Sequence, residues 1–269
     1  MRFDVNVSIL FTELELLRRP AAAAAAGFDA IEMWWPFDSP EPADAEIDDL
    51  TRAVTDAGVR LVGLNFYAGD LPGGDRGVLS IPDEAEAFRT NVPVATALAQ
   101  RLGCGVLNAL YGNRVEGVDP DVQDSLAVEN LGMAADAAAR VGATVVLEAQ
   151  NPHEQPRYPL RGSDDILAAI ERVRRDSGAR LGWLYDVYQH QRSEGNLIAT
   201  ISEHAGRMTH VQIADPPGRN EPGTGEVAWP RVFQALEEAG YDGYVGLEYK
   251  ATGSTEDSFD WLPQEEGTR

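Results

Sequence analysis

Four stretches of this chain end an apolar run on an oxygen-bearing side chain: Thr144-Val145-Val146-Leu147-Glu148, Leu184-Tyr185-Asp186, His210-Val211-Gln212 and Val245-Gly246-Leu247-Glu248. A strand that is otherwise apolar has no structural need to finish on a carboxylate, because an unpaired buried charge is costly. Confined together, the three carboxylates would repel one another and raise their pKa values unless a cation neutralised them, so a divalent ion is the expected partner. All-oxygen ligation by Glu148, Asp186, Gln212 and Glu248 favours Mg²⁺ or Mn²⁺, while His210 nearby leaves Zn²⁺ open. Such an ion can polarise a carbonyl and its neighbouring hydroxyl while a ligand carboxylate removes the proton from the carbon between them. The chemistry is aldose–ketose isomerisation or epimerisation.

The elements that must carry these residues alternate along the chain. Phe3 to Leu10 has the two-residue period of a strand, and Thr12 followed by Glu15 is a capping-box pattern that opens a helix, with Pro20 kinking it or starting a new segment. The alanine run Ala21 to Ala26 closes at Gly27. Asp29 to Trp34 reads as the second strand, Asp44 to Ala57 as helix and Val59 to Phe66 as the third strand. Asp83 to Leu102 is helical, Cys104 to Leu110 is the fourth strand, and Asp119 to Val141 is a long helix before the strand that ends on Glu148. A helix from Ser163 to about Arg175, a strand Leu181 to Asp186, a helix Ser193 to Ala205, a strand Met208 to Ala214, a helix Trp229 to Ala239 and a strand Gly243 to Tyr249 complete the pattern. Three segments rich in Gly and Pro, Tyr67 to Pro82, Asn151 to Gly162 and Asp215 to Gly225, are longer than connections need to be and read as functional loops.

Eight βα units without a linker or repeat indicate an α/β protein, a single (β/α)₈ TIM barrel domain spanning residues 1–269. The rival, a doubly wound sheet, needs a glycine fingerprint after the first strand, and Leu10-Phe11-Thr12-Glu13 contains no glycine. The 269 residues are 43% hydrophobic, yet no apolar run reaches the roughly 18 residues of a membrane span. Twenty-two basic against 44 acidic residues give a formal charge of −22, which repels nucleic acid and anionic membranes. One cysteine, Cys104, forms no intramolecular disulfide and fits core packing in a reducing cytoplasm. A homo-oligomer is left open by all of this.

In a barrel, alternate residues point inward and the C-terminal strand ends form the mouth. That parity puts Glu148 with Gln150, Glu248 with Lys250, and Gln212 with His210 on inner faces. A buried ion pair with an arginine is the competing account of Glu148 and Glu248. Three ligand carboxylates and one divalent ion leave a negative site, so an acidic substrate would need further positive charge. Lys250, Arg219 and Arg76 are the candidates, Arg being suited to bidentate carboxylate binding. Glu32, Asn65 and Asn108 also end strands and are placed to line the pocket, with Trp34 and Trp35 as walls. His210 is either a group orienting a ligand or substrate, or a satisfied core histidine. His153 and His204 read as surface residues.

Asn6-Val7-Ser8-Ile9-Leu10-Phe11-Thr12-Glu13, Ala68-Gly69-Asp70, Tyr185-Asp186-Val187-Tyr188, His210-Val211-Gln212-Ile213-Ala214-Asp215, Glu221-Pro222-Gly223-Thr224-Gly225-Glu226 and Gly246-Leu247-Glu248-Tyr249-Lys250 together resemble the hydroxypyruvate isomerase family of xylose-isomerase-like TIM barrels. The resemblance runs nearly end to end. It implies that Glu148 and Glu248 bind the metal and act as the acid/base pair, with Asp186 and Gln212 completing the metal site. It implies interconversion of hydroxypyruvate and 2-hydroxy-3-oxopropanoate, a small hydroxy-oxo acid pair, through an enediolate. The sister activity, 2-oxo-tetronate isomerase, is similar at Leu147-Glu148-Ala149-Gln150 and in the spacing to Tyr158, so substrate length stays open. One position departs from the family: where it commonly has a histidine thought to touch substrate, this chain has Gln189 followed by His190. Either Gln189 donates a hydrogen bond in its place, His190 swings in, or the activity is altered. Two rivals remain: a neutral-sugar or cyclitol epimerase or dehydratase of the same barrel class, and a non-catalytic binding barrel.

Overall fold

The eight expected strands exist and close on themselves. In a computed structural model that describes residues 1–262, β1 (Arg2–Asn6), β2 (Ala30–Met33), β3 (Arg60–Asn65), β4 (Val106–Asn108), β5 (Thr144–Glu148), β6 (Gly182–Asp186), β7 (Met208–Ile213) and β8 (Tyr244–Leu247) form a closed parallel barrel in chain order. β8 pairs with β1 through Phe3 opposite Val245 and Val5 opposite Leu247, which leaves no sheet edge. Residues 263–269, part of the expected domain, lie outside the described residues.

The strands are buried on both faces. Val145, Leu147, Trp183, Tyr185, Val211, Ile213, Val245 and Leu247 are all fully buried, and each buried aliphatic side chain of this kind contributes about 1.5–3 kcal/mol. Trp183 meets the rings of His190 and His204, which places it on the helix-facing side of β6. Around the barrel run α1 (Arg19–Ala25), α2 (Asp44–Ala57), α3 (Ala85–Leu102), α4 (Pro120–Arg140), α5 (Ser163–Ser177), α6 (Val187–Ser193), α7 (Leu197–His204) and α8 (Trp229–Glu238). Local chemistry sets their ends: the Asp119 side chain accepts from Asp121 N at the start of α4, and α2 closes at Gly58 with φ 72°, a conformation that favours glycine.

Four expectations change. β1 stops at Asn6 instead of Leu10, because Ile9 N and Leu10 N both bond back to Asn6 O and turn the chain. The Thr12–Glu15 pattern does not open a helix; Phe11 adopts φ 57°, and the first helical turn begins at Leu16, with Pro20 inside the first turn of α1. The helix expected over Ser193 to Ala205 starts only at Leu197, after Gly195 and Asn196 at positive φ, and a separate helix, Val187–Ser193, precedes it directly after β6. Finally, among the described residues β8 is followed only by a 3-10 turn, Asp257–Phe259.

Candidate active site at the mouth of the barrel

Glu148 ends β5, Asp186 ends β6, Gln212 lies near the end of β7, and Glu248 follows β8. All four are buried. Carboxylate oxygens of Glu148, Asp186 and Glu248 lie within 4.8 Å of one another. Each is held separately. Glu148 Oε1 accepts from Gln150 Nε2 at 2.7 Å and Oε2 from Asn108 Nδ2 at 2.9 Å. Glu248 Oε1 accepts from Trp34 Nε1 at 2.8 Å and Asn6 Nδ2 at 3.1 Å, and its Oε2 pairs with the Arg219 guanidinium. Asp186 caps α6, its Oδ1 accepting from Tyr188 N at 2.8 Å and Gln189 N at 3.3 Å. This explains why a strand can pass directly into a helix there.

Two acceptors are left over. Asp186 Oδ2 and Gln212 Oε1 are buried without a hydrogen-bond partner among the described residues. Buried unpaired oxygens beside two further carboxylates suit a hard cation, so Glu148, Asp186, Gln212 and Glu248 could together hold a divalent metal. Without such an ion the electrostatics are adverse. Burial pushes the Glu148 carboxyl well above its usual range, with Glu248 and Asp186 adding to the effect. Burial likewise raises Glu248 and pushes Asp186 up to about 7, in both cases against the pull of Arg219. Arg219 Nη2 stands 3.5 Å from Asp186 Oδ2, and its guanidinium lies 5.3 Å from the centre of the Tyr188 ring. The arginine ion pair weighed for Glu248 is therefore present and extends to Asp186 Oδ2, while Gln212 Oε1 is left without a partner among the described residues.

Glu148, Glu248 and Arg219 open into a cavity of about 230 Å³ lined also by Trp34, Asn65, Arg76 and Gln150, with Leu71, Pro72 and Leu110 as apolar walls; Asp186 and Gln212 lie outside this lining. That is smaller than the roughly 300–1,000 Å³ typical of sites for drug-sized ligands. Arg76 Nη1 donates to the carbonyls of Leu71 and Asp75, and among the described residues the guanidinium has no carboxylate partner. Burial lowers its pKa, and Arg219 lowers it further.

The remaining candidates separate. Asn108 holds Glu148, and its own Oδ1 is free of partners among the described residues. Lys250 shares the inner parity of Glu248, but the strand has ended at Leu247 and its side chain is exposed, away from the cavity lining. Gln189 is buried beside the mouth and does not line the cavity; its Nε2 donates to Gln150 Oε1 at 3.1 Å, and its Oε1 accepts from Asn151. It reaches Glu148 only through Gln150. His190 does not swing in: its Nδ1 faces Asp186 O at 2.9 Å, its ring packs 4.2 Å from that of Tyr185, and burial lowers its pKa to about 4. His210 lies inside the barrel below the mouth, with Nε2 2.6 Å from Glu32 Oε2. Burial opposes its charge, yet Glu32 and Asp4 raise its pKa to about 9. Trp35 packs on Phe37 and donates to Ser39 O, so of the two tryptophans only Trp34 lines the cavity.

Residue types alone did not single out Asn6, Gln150 or the Leu71-Pro72 wall. Inner parity with Glu148 was the available signal for Gln150, and the polar alternation of Asp4, Asn6 and Ser8 within the first strand was that for Asn6.

The family described as the xylose isomerase-like TIM barrel matches residues 20–265. A Streptomyces coelicolor protein whose name proposes hydroxypyruvate isomerase activity is 55% identical, over 97% of this chain and 95% of its own length. The 2-oxo-tetronate isomerase of Haemophilus influenzae is 33% identical over 97% of this chain and 98% of its own length. Among solved structures, one titled AP endonuclease, family 2, from Brucella melitensis superposes with a TM-score of 0.87 at 35% identity, covering 97% of each chain. The chain belongs to the xylose isomerase-like TIM barrel family, among the relatives of hydroxypyruvate isomerase and 2-oxo-tetronate isomerase.

Proposed function

We propose that this protein is a divalent-metal-dependent isomerase of small hydroxy-oxo acids, interconverting hydroxypyruvate and 2-hydroxy-3-oxopropanoate. One observation carries the reading: the carboxylates of Glu148, Asp186 and Glu248 converge beside a small cavity that Glu148 and Glu248 line together with Arg76, a guanidinium without a carboxylate partner among the described residues. A neutral sugar offers such an arginine only uncharged oxygen acceptors, whereas a substrate carboxylate offers the charge-assisted, bidentate pair that a guanidinium suits.

A bound Mg²⁺ or Mn²⁺ would polarise the substrate carbonyl and adjacent hydroxyl. The chain supplies the rest. Arg76 binds the carboxylate and orients the two reacting carbons. Glu148 and Glu248 flank them; one takes the proton from the hydroxymethyl carbon and the other delivers a proton to the former carbonyl carbon, while the oxygen-bound proton passes from one oxygen to its neighbour. The product is an isomer, with no net gain or loss of atoms or electrons. Gln150 and Asn108 orient the Glu148 carboxylate, and Trp34, Asn6 and Arg219 orient that of Glu248. Leu71, Pro72 and Leu110 limit water around the reacting carbons.

The test is an NMR assay in D₂O with Mg²⁺ or Mn²⁺, offering hydroxypyruvate and a 2-oxo-tetronate separately. Aldehyde formation with deuterium at the adjacent carbon, stopped by EDTA, is the expected result for the three-carbon acid. Turnover of the four-carbon acid alone would assign the sister activity, and inactivity on both with metal bound would overturn the hydroxy-acid reading.

A further inference from the structure

Below the mouth lies a carboxylate that the proposed reaction does not use. Glu32, on β2, is buried, and both of its oxygens are engaged: Oε1 accepts from Gln212 Nε2 at 2.7 Å and Asn6 Nδ2 at 3.0 Å, and Oε2 faces His210 Nε2 at 2.6 Å. The neighbouring strands make room for it. Gly63 on β3 and Gly246 on β8 are not at positive φ, so the backbone itself does not call for glycine. A Cβ at position 246 would lie 2.8 Å from Glu32 Oε1, and one at position 63 would lie 3.2 Å from Oε2. The interior of a barrel of this kind is normally filled by side chains. Here two positions are left bare around one carboxylate.

Glutamine is an ambiguous metal ligand, since its oxygen attracts a cation while its NH₂ end repels one. Something must choose the end. We infer that Glu32 is the positioning residue of the metal centre: by accepting from Gln212 Nε2 at 2.7 Å, a shorter bond than the 3.4 Å one from the same nitrogen to Glu248 Oε1, it commits Gln212 Oε1 to the cation, and through Asn6 it steadies Glu248. Asn6 Nδ2 bridges Glu32 Oε1 and Glu248 Oε1, and its own orientation is fixed because Asn6 Oδ1 accepts from Ser8 N at 3.0 Å. His210 holds the far oxygen of Glu32. A second ion held between Glu32, His210 and the buried Asp4 is a poorer account, because 2.6 Å between Glu32 Oε2 and His210 Nε2 is a hydrogen bond and not the spacing of two ligands around one cation.

This inference rests on the metal-dependent reading above. The experiment measures Mn²⁺ affinity calorimetrically for the wild-type protein, Glu32→Ala, Gln212→Ala and the double variant, with circular dichroism to establish folding. Loss of an outer partner of a metal ligand costs about tenfold to a hundredfold in affinity, which is the loss expected for Glu32→Ala. Because Glu32 acts mainly through Gln212, the double variant should lose clearly less than the product of the two single losses. Unchanged affinity in folded Glu32→Ala, or losses that multiply in the double variant, would overturn the proposal. Should Glu32→Ala not fold, Gly246→Ala, which crowds the carboxylate without removing it, must weaken Mn²⁺ binding; wild-type affinity there would overturn it equally. No Mn²⁺ binding by the wild-type protein would bring down the metal reading and this one together, whereas normal wild-type binding unaffected by the Glu32 change brings down this one alone.

Discussion

The indole Nε1 of Trp34 donates to Glu248 Oε1 at 2.8 Å, joining the loop after β2 to the residue after β8, 214 positions away in the chain. Together with Asn6 and Arg219 it surrounds Glu248 with donors that favour the ionised carboxylate. Removing the indole donor should make Glu248 a differently tuned base without unfolding the barrel. Trp34→Phe is expected to lower kcat about tenfold, about 1.4 kcal/mol of barrier, and to move the limb of the kcat/KM pH profile that reports Glu248 to higher pH. Steady-state kinetics across pH checks this.

Glu148→Gln and Glu248→Gln should each cost more than about a hundredfold in kcat, because general acid–base catalysis contributes about 10²–10⁴. Thermal stability should hold or rise for Glu148→Gln, which removes a buried charge that Glu248 and Asp186 oppose, and should fall for Glu248→Gln, which breaks the ion pair with Arg219. A variant that keeps more than about a tenth of kcat, under about 1.4 kcal/mol of barrier, removes that glutamate from the acid/base pair.

Asp186 makes the metal-free protein sensitive to pH. Its carboxyl titrates at about 7 in the folded chain and at about 4 when unfolded, so the folded state binds the extra proton between these values. The stability this contributes is present below about pH 4 and lost as pH rises through about 7. Metal binding runs the other way, because ligands must be ionised. Melting temperature measured in EDTA should fall from pH 5 to pH 8, and the stabilisation by Mn²⁺ should widen over the same range; parallel curves would count against Asp186 as a ligand.

Arg76 and Lys250 should behave oppositely. A hydrogen bond to a charged group is worth about 1.5–3 kcal/mol, so Arg76→Met is expected to raise KM for the hydroxy-oxo acid by about tenfold to a hundredfold. Lys250→Ala, at an exposed position outside the cavity lining, should leave KM and kcat within about twofold. Equal effects of the two would remove Arg76 from the carboxylate site.

The amino-acid sequence by itself determined the barrel and the placement of Glu148, Asp186, Gln212 and Glu248 at its strand ends, for a local reason. The two-residue period of a strand fixes which side chains share a face, and that period is visible in Val146 and Glu148, or in His210 and Gln212, without any knowledge of their neighbours. Element ends were less legible: Asn6 turning the chain back, and Asp186 ending β6 while capping α6, depend on side-chain bonds to nearby backbone. What only the tertiary structure decided is which groups meet across strands. Parity placed Lys250 beside Glu248, but parity lapses once a strand ends, and the cavity took Arg219 and Arg76 from loops instead. His190 follows Gln189 in the chain yet turns toward Tyr185, away from the mouth. Glu32 reaches Gln212 across 180 residues because barrel closure, together with two strand positions lacking side chains, lets one carboxylate sit among β1, β2, β7 and β8. Packing of that kind is a property of the closed layer, and no single segment encodes it.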